Sequence, residues 1–326
     1  MAQLQSTSIT GSFNLFTATA NTGSCGYLWY DTASSNLNYS YNVAVATWVA
    51  GGAMSVARYQ LAGAGTKSAT LAFGGGPGAL KCTEAYNGAS WSTRGALINS
   101  ARTLAGAGTQ NSALAFGSYP TSACTEAYNG ATWSAGGALI TARSQLAGAG
   151  TQTAALAFGG ATPTNLACTE AYNGTSWTAG GALITARAAL AGAGASNTTA
   201  LAFGGAAGSI WACTEAYNGT SWSAGGALIT ARLQLAGAGI QNAALAFGGG
   251  NPGNVSCTEA YNGATWSAST AMIIARSNLG GTGIQSTALV FGGLTPATNT
   301  CTEAYAQGIQ TCTFVGTIAP PPYTGV

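Results

Sequence analysis

The sequence predicts an all-β chain built as a six-bladed β-propeller, with an extended β-rich N-terminal arm and a short C-terminal tail. Three observations carry this. With small changes, a unit with an Arg, an LAGAG run, an ALAFGG run and a CTEAY run is written six times in 326 residues, followed by an Asn-Gly and a Trp in every copy but the last. Its tryptophans (Trp48, Trp91, Trp133, Trp177, Trp222, Trp266) recur every 42 to 45 residues, and the cysteines Cys82, Cys124, Cys168, Cys213, Cys257 and Cys301 keep the same step. That period, with several short strands per unit, is the signature of propeller blades. The 49 glycines break the uninterrupted helix formers that a helical repeat would need.

Each unit reads as four strands, illustrated by the fifth copy. The first is Leu235 to Gly239, whose small residues suit a crowded place near the axis. The second, Ala244 to Phe247, puts Leu245 and Phe247 on one face and ends at Gly248-Gly249. The third is Cys257 to Tyr261, with Cys257, Glu259 and Tyr261 on one face. Asn262-Gly263 is a two-residue hairpin signal leading into a fourth strand around Trp266. Four antiparallel strands make one blade, and a ring of blades buries both faces of each sheet.

An Arg, a small apolar strand, an apolar strand ending in Gly-Gly, a Tyr and then a Trp together resemble the kelch repeat. The resemblance covers roughly residues 44 to 305, and it implies the propeller fold. The second copy departs from it with Gly117-Ser118, and the sixth has no Trp after Tyr305. Closing the ring therefore needs a strand from a chain end. Val43 to Trp48 is the preferred candidate because it removes two open edges; Thr311 to Val315 is the rival. The domain reading is an arm over 1–42, the propeller over 43–305 and a tail over 306–326.

Met1 to Gly11 has neither a basic start nor an apolar core, so no secretory leader is expected. No apolar run approaches membrane-spanning length. The segment Gly26 to Trp48, with its LWYDT, resembles short stretches of phage tail-fibre and other virion proteins. The near-identical ALAFGG and TEAYNGTSW copies resemble those in structural proteins of marine tailed phages. The C-terminal APPPYTGV, Ala319 to Val326, reads as an extended proline-rich tail.

Charged residues are 5% of the chain, against the usual quarter. Most of them belong to the repeat: Arg58, Arg102, Arg143, Arg187, Arg232 and Arg276, with Glu84, Glu126, Glu170, Glu215, Glu259 and Glu303. Two readings compete for this matched set. One is a ring of ligands for an anionic sugar. The other, preferred because unpaired buried charge is costly, pairs each Arg with a Glu or with carbonyls to hold the blades. A surface so poor in charge suits a subunit packed in a larger assembly. The net charge of +2 offers no basic patch for nucleic acid.

The repeat cysteines sit at equivalent blade positions, too far apart for disulfides and without metal-site spacing. They read as small buried residues facing the next blade. Cys25 and Cys312, one near each end, could form a clasp under oxidising conditions. There is no histidine, which removes the commonest general base and most zinc and copper sites. Paired catalytic carboxylates and phosphate loops are also missing from the pattern, so no catalysis, cofactor or metal is expected.

Two functions follow as expectations. The first is a non-enzymatic phage virion protein, a tail fibre, appendage or capsid-surface module. Its partners would be other virion proteins through the N-terminal arm and a glycan or protein of the host surface. The alternative is a cellular or secreted propeller that binds a glycan or protein. In either case the variable segments Gly75 to Lys81, Ser118 to Ala123, Gly160 to Ala167, Gly205 to Ala212, Gly249 to Ser256 and Gly293 to Thr300 read as binding loops on a fixed scaffold. Tyr119 and Trp211 are their large aromatics and the candidate surface contacts.

Overall fold

The structure, a computed structural model, describes residues 27–31 and 36–317, with side chains described over 45–308. Its contacts divide the chain into two units, Ala46–Gln307 and a second made of Met1–Val45 with Gly308–Val326. In the second unit Tyr27–Asp31 pairs antiparallel with the start of Asn36–Gly51, placing Trp29 opposite Asn38. The long strands Asn36–Gly51 and Thr302–Thr317 contribute residues to both units.

Ala46–Gln307 is a six-bladed β-propeller without helices among the described residues. Blade 1 consists of Ala62–Thr66, Ala69–Phe73, Thr83–Tyr86 and Trp91–Thr93. Blade 2 consists of Ala105–Thr109, Ser112–Phe116, Thr125–Tyr128 and Trp133–Ala135. Blades 3, 4 and 5 repeat the order from Ala147–Gly150, Ala191–Ser196 and Ala236–Ile240 outward to Trp177–Gly180, Trp222–Gly225 and Trp266–Ser269. Blade 6 runs Gly280–Ile284, Thr287–Phe291, Thr302–Thr317 and then Asn36–Gly51. The N-terminal strand therefore closes the ring. Thr311 to Val315, the rival, instead prolongs the third strand of the same blade, which also carries strand structure into the expected tail up to Thr317.

Tryptophan is what locks one blade to the next. Each Trp packs on the Tyr of its own third strand and on the second-strand Phe of the preceding blade, as Trp177 does on Tyr172 and Phe116 at 4.9 and 5.0 Å between centroids. Its indole N–H donates to the first Thr of the preceding blade's third strand. Trp133 reaches Thr83, Trp177 Thr125, Trp222 Thr169, Trp266 Thr214 and Trp91 Thr302, all at 2.9–3.0 Å. The ring is buried and also satisfied at its polar tip, as an interior indole requires.

The inner strands neighbour one another around the whole ring, with Gly280–Ile284 lying beside Ala62–Thr66. Their small residues are a packing requirement. A Cβ on Gly148 would stand 2.7 Å from Phe116 Cζ and 2.8 Å from the Gly106 carbonyl oxygen of the preceding blade. At the strand entrances, Gln60, Thr103, Gln145, Ala189, Gln234 and Asn278 all adopt left-handed φ of 54–57°. Each donates its N–H to the carbonyl of the preceding member at 2.8–2.9 Å, and Gln60 donates to Asn278, so a cyclic ladder of six hydrogen bonds encircles the axis. Nothing in the varied residue types at these positions foretells it.

The Asn-Gly signal resolves differently from a two-residue turn. Tyr261 pairs with Trp266, so the loop has four residues. Asn262 Oδ1 accepts the N–H groups of Ala264 and Thr265, and Gly263 takes φ +93°. The asparagine acts here through its side chain, an Asx-type turn, rather than by adopting a left-handed backbone itself.

Candidate functional site

Antiparallel connectivity puts the loops between second and third strands, and the connectors into each first strand, at one end of the blades. The repeat Arg and Glu are found there. Arg58, Arg143, Arg187, Arg232 and Arg276 are fully buried and bind Glu84, Glu170, Glu215, Glu259 and Glu303. The Arg58–Glu84, Arg143–Glu170 and Arg232–Glu259 distances are 2.9, 2.5 and 2.6 Å. Carbonyls complete the receptor. Arg58 donates to Gly74 O at 3.0 Å and Cys82 O at 2.8 Å, and Arg143 Nη2 donates to Ala157 O at 3.3 Å. The other carboxylate oxygen accepts a connector N–H, for example from Ile184 to Glu215 at 2.7 Å. The pair thus pins each connector to the third strand of the blade it enters. Burial pulls the Arg58 and Arg232 guanidinium groups below their ordinary value, and the facing carboxylates Glu84 and Glu259 oppose that shift.

Blade 2 breaks the pattern. Arg102 and Glu126 do not pair. Elsewhere the Arg stands three residues before the connector leucine, as in Arg143 and Leu146, whereas Arg102 stands two before Leu104. Ala101 therefore takes the buried arginine position. Its backbone confirms the register: Ala101 N–H donates to Leu80 O as Arg143 N–H does to Ser122 O, and its carbonyl receives Gly75 N–H as that of Arg187 receives Gly160 N–H. Arg102 instead lies with its guanidinium carbon 4.3 Å from the centroid of the Tyr119 ring, a cation–π contact. That one-residue shift was legible in the Arg-to-Leu spacing, although matching Arg against Glu by count conceals it.

Glu126 is left 5% exposed without a cation. Its Oε2 accepts Ile98 N–H at 2.8 Å, and its Oε1 accepts the backbone and side-chain N–H groups of Asn99 at 2.9 and 3.1 Å. In front of it is a cavity of about 300 Å³ whose walls include Ala101, Ala115, Gly117, Tyr119, Cys124 and Glu126. A smaller space of about 120 Å³ lies at the axial ring of left-handed residues, lined by Leu61, Leu104 and their equivalents.

The cysteines Cys82, Cys124, Cys168, Cys213, Cys257 and Cys301 are free thiols. They are half-buried, and Cys124 is exposed, so they do not form a buried contact with the next blade. Each directly precedes a third strand and sits at the loop end, against its own connector. Arg143 and Arg187 each donate to the sulfur of Cys168 and Cys213, at 2.9 and 3.1 Å. Burial pushes both thiols up, and the adjacent guanidinium groups oppose this. Pairing of Cys25 with Cys312 lies outside the described residues, since only the backbone of Cys312 is described.

Of the two candidate aromatics, Tyr119 is 51% exposed at the cavity edge. Trp211 is half-buried with its indole N–H enclosed and unpartnered, which makes it a poorer surface contact. Among the described residues no group of three or more metal-ligating side chains converges. No helix among the described residues is long and apolar enough to cross a membrane. The blade arrangement is compatible with the kelch type; no protein-family model matches the chain, and no curated protein does either.

Proposed function

We propose that the chain is a non-enzymatic structural and binding module of a phage virion, a tail-fibre, appendage or capsid-surface propeller. The observation that carries this is an apolar rim on a nearly uncharged surface. Ile98, Ile140, Ile184, Ile229 and Ile273 occupy equivalent places on five successive connectors and are 44–61% exposed. Their backbones are tied down by the repeat glutamates, so the side chains are displayed rather than free to fold away. Repeated exposed apolar groups on a rigid frame suit a surface covered by neighbours in an assembly. The scarcity of charge removes repulsion between copies. The resemblance of the copies and of Gly26 to Trp48 to virion proteins supports the phage setting, and the absence of histidine supports a non-catalytic role. The differing second-to-third-strand loops at the same end would set which neighbour that surface accepts.

The test is to band particles from the source culture on a density gradient and follow peptides of this chain. Peptides that track DNA-filled particles with capsid protein, at fixed stoichiometry, support the proposal. Peptides that remain with cell envelopes or soluble protein overturn it in favour of a cellular binding propeller.

A further inference from the structure

We propose that the cavity in blade 2 is a binding site for an alkylguanidinium group. The template is internal to the molecule, because five other blades show how the same wall receives such a group. In blades 1 and 6 the arginine donates to the Gly and Cys carbonyls, Gly74 and Cys82 or Gly292 and Cys301, at 2.8–3.2 Å. In blades 1, 3 and 5 it also reaches the second-strand Ala carbonyl at 3.3–3.4 Å. In all five it binds the third-strand Glu. The corresponding residues of blade 2 are Gly117, Cys124, Ala115 and Glu126, and all four line the cavity. What is missing is the arginine itself, because Ala101 stands in its place.

A carboxylate holds about four acceptor sites. Glu126 uses three for Ile98 and Asn99, and these same donors fix its orientation. The wall is thus acceptor-rich, carries one negative charge and is preorganised, which is the complement of a planar fork of N–H donors. At about 300 Å³ the space exceeds what a single water requires. Arg102 does not fill it, being engaged with Tyr119 at the rim. A compact metal ion is a poorer match, since Glu126 is the only carboxylate in the wall. The guanidinium could arrive on a partner protein's arginine or on a free small molecule.

The experiment is an amide NMR titration of the full chain with methylguanidinium chloride, agmatine and N-acetyl-arginine amide, against matched tetramethylammonium chloride. Saturable shifts confined to residues around 97–126 are expected with the guanidinium compounds and not with tetramethylammonium. Ala101→Arg should supply the group in cis, abolish saturable binding and raise the melting temperature. Glu126→Gln should weaken binding about tenfold or more, and it serves should Ala101→Arg fail to fold. N-acetyl-arginine amide binding more tightly than agmatine assigns the site to a protein partner; the reverse assigns it to a small molecule. No saturable binding by wild type, or binding undiminished in both variants, overturns the proposal.

Discussion

Trp48 donates its indole N–H to Thr258 Oγ1 at 3.1 Å, across 210 residues of chain. It also packs on Phe247 of blade 5 and Tyr305 of blade 6, with centroids 5.4 and 5.1 Å apart. Every one of these contacts has its counterpart in the other blades, so the N-terminal strand is the missing outer strand of blade 6. A ring closed this way makes one strand answerable for the whole circle.

The first prediction follows from that position. Trp48→Ala should destabilise the propeller by roughly 3–5 kcal/mol, as for other large aromatic truncations. Thr258→Val, which removes one of the two acceptors of the Trp48 N–H and leaves the Thr270 carbonyl at 3.0 Å, should cost only about 1 kcal/mol. Urea midpoints of the two variants check this. Equal, negligible losses would mean that another strand closes blade 6.

Glu126 and Glu215 occupy the same place in the repeat, yet their removal should differ. Glu215→Gln leaves the fully buried Arg187 without its counter-charge, a change of roughly 3–5 kcal/mol. Glu126→Gln leaves no buried cation behind and disturbs only its hydrogen bonds from Ile98 and Asn99, about 1–2 kcal/mol. Chemical denaturation of the purified variants measures the difference. Equal costs would show that Glu126 has a cationic partner within the chain.

The half-buried thiols give a pH prediction. Folding raises the Cys168 and Cys213 thiols above their ordinary value of 9.0 through burial, with Arg143 and Arg187 pulling the other way. Their contribution to stability is therefore complete below about pH 9 and is lost as pH rises through the raised value. The Cys168→Ala/Cys213→Ala variant should lose less stability between pH 8 and 10 than wild type does. In the folded protein, iodoacetamide should label exposed Cys124 faster than either, by about tenfold, because the reagent needs an accessible thiolate. Mass spectrometry of the peptides separates the sites, and preferential labelling of Cys168 or Cys213 would refute the assignment.

Much of this fold was legible because repetition averages out local ambiguity. Six aligned tryptophans and six Thr-Glu-Ala-Tyr strands fix blade number and strand order more firmly than one unit could, and the lone Trp48 named the closing strand. The Asn-Gly turn misled because Asn262 serves as a side-chain acceptor, a role its identity shares with the left-handed turn. The cysteines misled because strand alternation was extended one residue too far, past Thr258 into the loop end. The candidate site was hidden by near-identity itself: Ala101-Arg102 has the composition of every other copy and differs only in register. The axial hydrogen-bond ring depends on backbone conformation shared by Gln, Thr, Ala and Asn, and so leaves no trace in residue type.

Thr70 and Thr282 form the one paired departure on facing inner positions of blades 6 and 1. Their hydroxyls lie 2.6 Å apart, both buried, where the other blades carry alanine at both places. Thr70 also donates to the Thr66 carbonyl, so the Thr282 hydroxyl donates to Thr70, and removal of Thr70 leaves the Thr282 hydroxyl without this partner in an apolar surrounding. Thr70→Ala alone should therefore cost roughly 1–3 kcal/mol, the range for stranding a buried polar group. Thr70→Ala/Thr282→Ala, which restores the alanine pair, should recover most of that loss, because both hydroxyls then leave together. A double-mutant cycle by urea unfolding reads the coupling directly. Additive losses would show that the two hydroxyls act independently and that the seam between blades 6 and 1 does not depend on their bond.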